Sequence, residues 1–478
     1  MNVVARAHQD GMESYLASPT ERNSMATNPR RRRNFSQSLG WAIVAAGLCC
    51  VFDIASAPAQ TGAAGCDLLT VEGPVCSNYL ACDSYGIEPS CSQDGFFAQL
   101  EQRRAILAKN GISLQNNLTQ YYFGNTTGGL EREFRYSGHG DYLANFDFGK
   151  LGVQEGLFLT VRTEHRFGES GSGLSGSFIP STIPADLPSV DKEHLYVTNF
   201  LITQALSEDF VLFAGKLDAL SGDANDFAQA RGITQFSNLA FVGNPATLRT
   251  IPYSTLGAGC SFLLEGEPLL SFMVLNAVDT TRTIGLGELF NEGCALTTEL
   301  RLPTNFFDLP GHQLFGATWS SREVASLSQD PRVILPTIPI DRQSGSWSLY
   351  WNCDQYLVSD RRDPKRGWGY FGRAAIADDQ TNPIAYFLSA GLGGTSMISG
   401  RDHDRFGMGY YYSSTSNPIA PFIANAIGGL KDEQGVELFY NAAVNSMVSV
   451  TPDLQVISSF RDSLDTALLA GVRMNVAF

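Results

Sequence analysis

Ser346 to Leu357 reads SWSLYWNCDQYL, and its alternation sets the fold question. Trp347, Leu349, Trp351 and Cys353 fall on one side, with Ser346, Ser348, Tyr350, Asn352 and Asp354 on the other. That is the period of two a pleated strand imposes. A strand of a soluble protein with one face in a core shows the same split, so this segment alone does not say what the apolar side meets.

Working outward, the same period recurs over segments of about 10–14 residues. They are 111–123, 140–149, 156–167, 194–206, 209–219, 254–265, 268–277, 293–302, 312–323, 344–358, 366–377, 383–393, 404–414, 435–445, 451–460 and 466–478. The count is sixteen, an even number. In the last of them Leu468, Ala470, Val472, Met474, Val476 and Phe478 oppose Arg473 and Asn475. Tyr and Trp gather near strand ends, as in Tyr121 and Tyr122, Trp368 and Tyr370, and Tyr410 to Tyr412, where amphipathic rings suit headgroup level. Tight connections at Ser207–Asp209 and Glu265–Pro268 alternate with long ones around 168–193, 221–253, 278–292 and 324–343. Hydrocarbon offers backbone groups no hydrogen-bond partner, so strands cross it only as a closed cylinder. The pattern predicts an all-β protein, a sixteen-stranded antiparallel transmembrane β-barrel over 111–478, with one short N-terminal amphipathic helix and an inward-folded constriction loop at about 221–249. Such a barrel places the chain in the bacterial outer membrane, with lipid outside and small solutes inside.

The N-terminus carries an export signal and leader over 1–59. Arg30 to Arg33 are its basic region, Trp41 to Ile54 its apolar run, and Ala57-Pro58-Ala59 its cleavage site. Met25 offers an alternative start. The apolar run falls short of the roughly 20 residues that span a bilayer. Cys66, Cys76, Cys82 and Cys91 crowd into an irregular stretch at 60–93, read as a periplasmic cap stapled by one or two disulfides. Asp94 to Asn110 is the amphipathic helix, with Asp94 as N-cap and Gly111 as C′ glycine. A net charge of −15 excludes nucleic acid as a partner, because phosphate binding needs a concentrated basic face.

FVLFAGKLDAL at 210–220, FAQARGITQFSNLAFVGNP at 227–245, DRFGMGYYYSS at 404–414 and ELFYNAAVNSMVSVTPDLQVISSF at 437–460 resemble the carbohydrate-selective porins of the OprB family. The segment leading into the first strand, QDGFFAQLEQRRAILAKNGI, is also similar. The resemblance runs from about Asp94 to Phe478. It implies a sixteen-stranded barrel passing glucose and related sugars by diffusion.

Sixteen strands enclose a lumen too wide to select, so selectivity needs something folded inward. The stretch from Leu217 to Thr250 is the candidate, since compact proteins seldom keep so long a connection without a use. Its Asp226, Gln229, Arg231, Gln235 and Asn238 suit hydroxyl groups, and Lys216 and Asp218 are expected to face the lumen if Phe213 and Leu217 face lipid. In LFLTVRTEHRF, Leu157, Leu159 and Val161 point to lipid and Arg162, Glu164 and Arg166 to water, because an Arg on the lipid face costs about 2–4 kcal/mol. Glu299 and Arg301, and Arg373, repeat this on later strands. Guanidinium forks donate to sugar hydroxyls, carboxylates accept and rings stack, which makes Arg162, Glu164, Arg166, Lys216, Asp218, Arg231, Glu299, Arg301 and Arg373 the predicted constriction. The alternative is that the charges pair with one another and stiffen the wall. A nonspecific diffusion porin is the rival within channels; monomer and homotrimer both fit.

An enzyme lacks its parts here. His8, His139, His165, His194, His312 and His403 show no H-x-x-x-H spacing, and there is no G-x-S-x-G elbow. An outer-membrane hydrolase would have only His165 and His194 to draw on. The G-x-G-x-x-G at Gly171–Gly176 follows a strand but opens no helix, and reads as a flexible linker. A soluble sugar-binding β-sandwich is the third class, and it would refold without detergent. No cofactor or metal is implied.

Overall fold

The computed structural model describes residues 96–190, 194–327, 341–360, 363, 366–416 and 428–478. The export signal, the Cys-rich stretch with Cys66, Cys76, Cys82 and Cys91, and Asp94 lie outside the described residues.

Helix α1 (Phe96–Lys109) leads through Gly111 into the first strand. Gly111 has φ +91°, and a Cβ there would stand 2.8 Å from the Asp147 carbonyl, which accounts for the glycine that ends the helix. Sixteen antiparallel strands follow: β1 (Ile112–Thr127), β2 (Phe134–Asp147), β3 (Leu157–Gly168), β4 (Tyr196–Ser207), β5 (Phe210–Asp218), β6 (Ser254–Leu264), β7 (Glu267–Asn276), β8 (Cys294–Phe306), β9 (Leu309–Ser320), β10 (Ser346–Ser359), β11 (Gly367–Ala377), β12 (Ile384–Thr395), β13 (Arg405–Thr415), β14 (Glu433–Ala443), β15 (Val448–Ser458) and β16 (Ala467–Ala477). Each pairs with its neighbours in sequence, and β16 returns to β1 through Asn117 to Thr127, closing the barrel. Closure leaves no exposed strand edge. A two-residue ladder, Val324–Ala325 with Arg342–Gln343, lies in the β9–β10 connection.

β10 keeps the predicted phase. Trp347 and Leu349 are 38% and 47% exposed on the outside, whereas Ser346, Ser348, Tyr350, Asn352 and Asp354 are buried on the lumen side. Asp147 to Gly156, Glu265–Gly266, Phe307–Asp308 and Asn445–Met447 make compact turns on one rim, and the long loops lie on the other. Two aromatic assignments are corrected. Tyr121 and Tyr411 point inward and are buried, not at headgroup level; Tyr122 and Tyr410 beside them are exposed. Consecutive strand residues take opposite faces, so a Tyr pair cannot sit wholly in one belt.

The hydrophobic core lies inside the cylinder. Phe227, Phe236, Leu239, Phe241 and Val242 of the β5–β6 loop pack with Ile179, Ile183 and Leu187 of the β3–β4 loop against Phe371, Phe387, Tyr411 and Phe439 of the wall. The Gly171–Gly176 run is not slack linker: it forms a 3-10 turn at Ser172–Ser175, with Leu174 buried and the Gly176 carbonyl accepting from Ser459.

Candidate functional site: the lumenal loop and the passage beside it

The β5–β6 loop leaves the wall at Asp218 and crosses the lumen. Its asparagines shape it: Asn225 accepts from the Phe227 and Ala228 amides, Asn238 caps the one-turn helix α2 (Leu239–Val242), and Asn244 caps the turn at Pro245–Arg249. These are local side-chain-to-backbone bonds that Asn makes well. Gln229 and Gln235, expected to meet solute, also serve the loop: Gln235 accepts from the Gln229 amide and donates to the Asp226 carbonyl.

The wall receives the loop in two ways. On one side it is ionic. Arg162 on β3 donates to Asp141 on β2 at 2.9 Å and to Asp218 at 2.7 Å. Arg231 of the loop lies 3.2 Å from Asp141, donates to Glu164 at 2.6 Å and also pairs with Asp218. Tyr253 donates to Glu164 at 2.5 Å, and Thr198 and His139 contact the same carboxylate. Burial, with Glu164 and Asp218 close by, raises the Tyr253 hydroxyl well above its usual range and keeps it a neutral donor. All of these side chains are buried. Arg231 has φ +49°, a left-handed conformation costing about 1–3 kcal/mol in a non-glycine residue, which the three carboxylates hold in place.

Elsewhere the loop's backbone is bonded. Arg373 on β11 donates to Asp223 at 2.8 Å and to the carbonyls of Phe241 and Ala228. Arg473 on β16 donates to the carbonyls of Gly232 and Gln235, and Glu437 on β14 accepts from the amides of Ser237 and Asn238. On the far wall the fit is steric. A Cβ on Gly409 would meet the Phe241 ring at 2.6 Å, and one on Gly407 the Phe439 ring at 2.4 Å and the Phe236 ring at 2.7 Å. The two glycines of RFGMGYYY thus form a recess for loop phenyl rings.

Of the nine predicted residues, Arg162, Glu164, Asp218 and Arg231 come together, and Arg373 holds the loop from another strand. Three stand apart from that cluster. Arg166 donates to the Val190 carbonyl in the β3–β4 loop, while Glu299 and Arg301 line the open cavity. Lys216 departs from expectation, and so do Phe213 and Leu217. The latter two line the internal cavity, whereas Lys216 sits opposite Phe200, which is 43% exposed, and donates to the carbonyls of Thr280 and Thr283. The assumption that apolar means lipid-facing fails where the lumen itself holds an apolar core. Asp218 still reaches the cluster because it ends β5 and caps the inward turn, accepting from the Leu220 amide. Sequence reasoning missed Asp141, His139, Tyr253 and Glu437. The first two lie on β2, which begins at Phe134; starting that strand at 140 left His139 out of it, whereas Asp141 lay inside the predicted strand and was passed over.

A cavity of about 150 Å³ remains between the loop and the wall of β5 to β10. Glu299, Arg301, Asp223 and Tyr350 line it together with the hydroxyls of Ser261, Ser271 and Thr297. Tyr350 donates to Glu299 at 2.6 Å, and Arg301 reaches Glu267 at 3.3 Å. The Nε of Arg301 has no hydrogen-bond partner. His165, by contrast, is stacked between Tyr142 and Phe167, an aromatic contact rather than half of a catalytic pair.

The family described as "Carbohydrate-selective porin, OprB family" matches residues 131–478. Among solved structures, a high-pH structure of Pseudomonas putida OprB aligns at 19% identity with a TM-score of 0.68, over 82% of this chain and 100% of that one. Its low-pH structure aligns at 16% identity and TM-score 0.47, over 80% and 98%. A loop-deletion mutant of Vibrio cholerae OmpT aligns at 14% and 0.44, over 77% and 99%. The first of these likenesses shows the barrel fold. A comparison with curated proteins finds no match. With a family match over most of its length and a closed sixteen-stranded barrel, the chain belongs to the OprB family of carbohydrate-selective porins, passive channels of the bacterial outer membrane and not enzymes.

Proposed function

We propose that glucose and related monosaccharides cross through the opening between the lumenal loop and the wall of β5 to β10, with Glu299 and Arg301 as the groups they meet. The observation that carries this is the lining of the cavity: a guanidinium, carboxylates that accept, neutral hydroxyls and the Tyr350 ring stand around one space. Those are the contacts a neutral polyol can make. The opposed charges of Arg301 and of Glu299 and Asp223 also order water across the passage and favour a polar neutral solute. Arg162, Glu164, Asp218, Arg231 and Arg373 play a different part. They do not contact the sugar; they set the width of the opening by fixing the loop.

Glucose should therefore reduce ion conductance through the reconstituted channel in a saturable way. Arg301→Ala is expected to raise the half-blocking glucose concentration about tenfold, the equivalent of roughly 1.4 kcal/mol, within the worth of one hydrogen bond to a charged group. Arg166→Ala, whose guanidinium is held by the Val190 carbonyl, should leave that concentration within about twofold. An unchanged value for Arg301→Ala would move the solute contact to another part of the lumen.

A further inference from the structure

A second cluster lies beside the passage. His312 on β9 and Asp354 on β10 face each other directly across the ladder, with Nδ1 and Oδ1 2.8 Å apart. Asp226 joins them from the loop, and one ligating atom from each of the three lies within 4.8 Å of the others. Asp226 is held there by its neighbour Asn225, which donates to Asn352 at 2.7 Å and to the Cys353 carbonyl at 2.9 Å.

Two observations go beyond proximity. Asp354 is 1% exposed, and its Oδ2 has no hydrogen-bond partner. A buried carboxylate oxygen left in this state is costly unless something else supplies positive charge. The local charge is also unbalanced. Arg301 is 3.9 Å from Asp226 and 3.3 Å from Glu267, so one guanidinium serves both carboxylates, while Asp354 has its contact with the His312 ring. Three carboxylates thus share one guanidinium and one imidazole, which leaves an excess of negative charge.

We propose that Asp226, His312 and Asp354 form a divalent-cation site that ties the lumenal loop to the wall. One imidazole nitrogen and two carboxylate oxygens are a donor set for a first-row divalent ion such as Zn²⁺, with water from the lumen completing the shell. The bound ion clamps the loop at Asp226 and cancels the excess negative charge beside the passage, which lowers the local concentration of permeating cations. The site is independent of which solute the channel carries.

The test uses the full-length channel in detergent, stripped with chelator and titrated with Zn²⁺ by calorimetry, and the same protein in planar bilayers. The expected result is one ion per chain with micromolar affinity and a conductance at least about twofold lower at saturation. His312→Gln and Asp226→Asn should each weaken binding tenfold or more, with β-structure checked by circular dichroism; Asp226 is on the loop surface, so that variant keeps the test open if a wall substitution fails to fold. No binding to the wild-type channel below millimolar Zn²⁺ would overturn the proposal. So would unchanged affinity in both folded variants, which would put the ion on another group.

Discussion

Replacing Arg231 with Ala is expected to destabilise the folded barrel by about 3–5 kcal/mol, because it strips one shared guanidinium from three buried carboxylates. Asp141, Glu164 and Asp218 would then keep Arg162, His139, neutral hydroxyls and the Leu220 amide around them. The loop would also lose its tie to β2 and β3, so single-channel conductance should rise. Thermal or denaturant unfolding in detergent reads the first effect, bilayer recording the second. Arg231→Lys should recover little, since a point charge on a flexible stem cannot serve three acceptors at once as a planar fork does. A variant as stable as the wild type, with the same conductance, would mean that the ion cluster does not hold the loop.

The opposite side of the loop should fail as badly for a different reason. Phe241 is wholly buried, with its ring centroid 4.7 Å from Phe236, 6.0 Å from Phe371 and 5.9 Å from Tyr411. Truncating it to Ala leaves a cavity among rings that cannot all collapse into it, at a cost of about 3–5 kcal/mol. Gly409→Val attacks the same contact from the wall, because its Cβ would begin 2.6 Å from the Phe241 ring. Both variants should melt earlier and conduct more than the wild type. If Phe241→Ala melts within a degree or two of the wild type, the loop is not packed into the recess.

The two sides also show what the sequence made legible. Strand period, strand count and loop alternation gave the barrel almost entirely, because lipid outside and water inside impose polarity at every second residue. The same rule found Arg162 and Glu164. It misled at Phe213 and Lys216, where the inward face is apolar because the loop brings a hydrophobic core into the lumen. The segments that carried the family resemblance turn out to be loop and socket. GKLD supplies Asp218, FAQARGITQFSNLAF supplies Arg231, Phe236 and Phe241, and RFGMGYYY supplies Gly407 and Gly409. In TPDLQ, Asp453 accepts from Ser237 and Gln455 from Asn238. Gly407 and Gly409 lie two apart on one face, a spacing visible in the sequence; their partners more than 160 residues earlier were not. What stayed hidden was pairing at long range: nothing local to Asp141, Tyr253 or Glu437 tells that a loop from elsewhere will need them.

The account rests on a loop that narrows a wide barrel to a passage fitted to sugar. Single-channel recording of the purified protein with increasing glucose tests this most directly. The account predicts a stepwise fall in conductance that saturates and reverses on washout. Conductance that stays constant at every glucose concentration, apart from the change in bulk viscosity, would contradict it and leave a general diffusion pore.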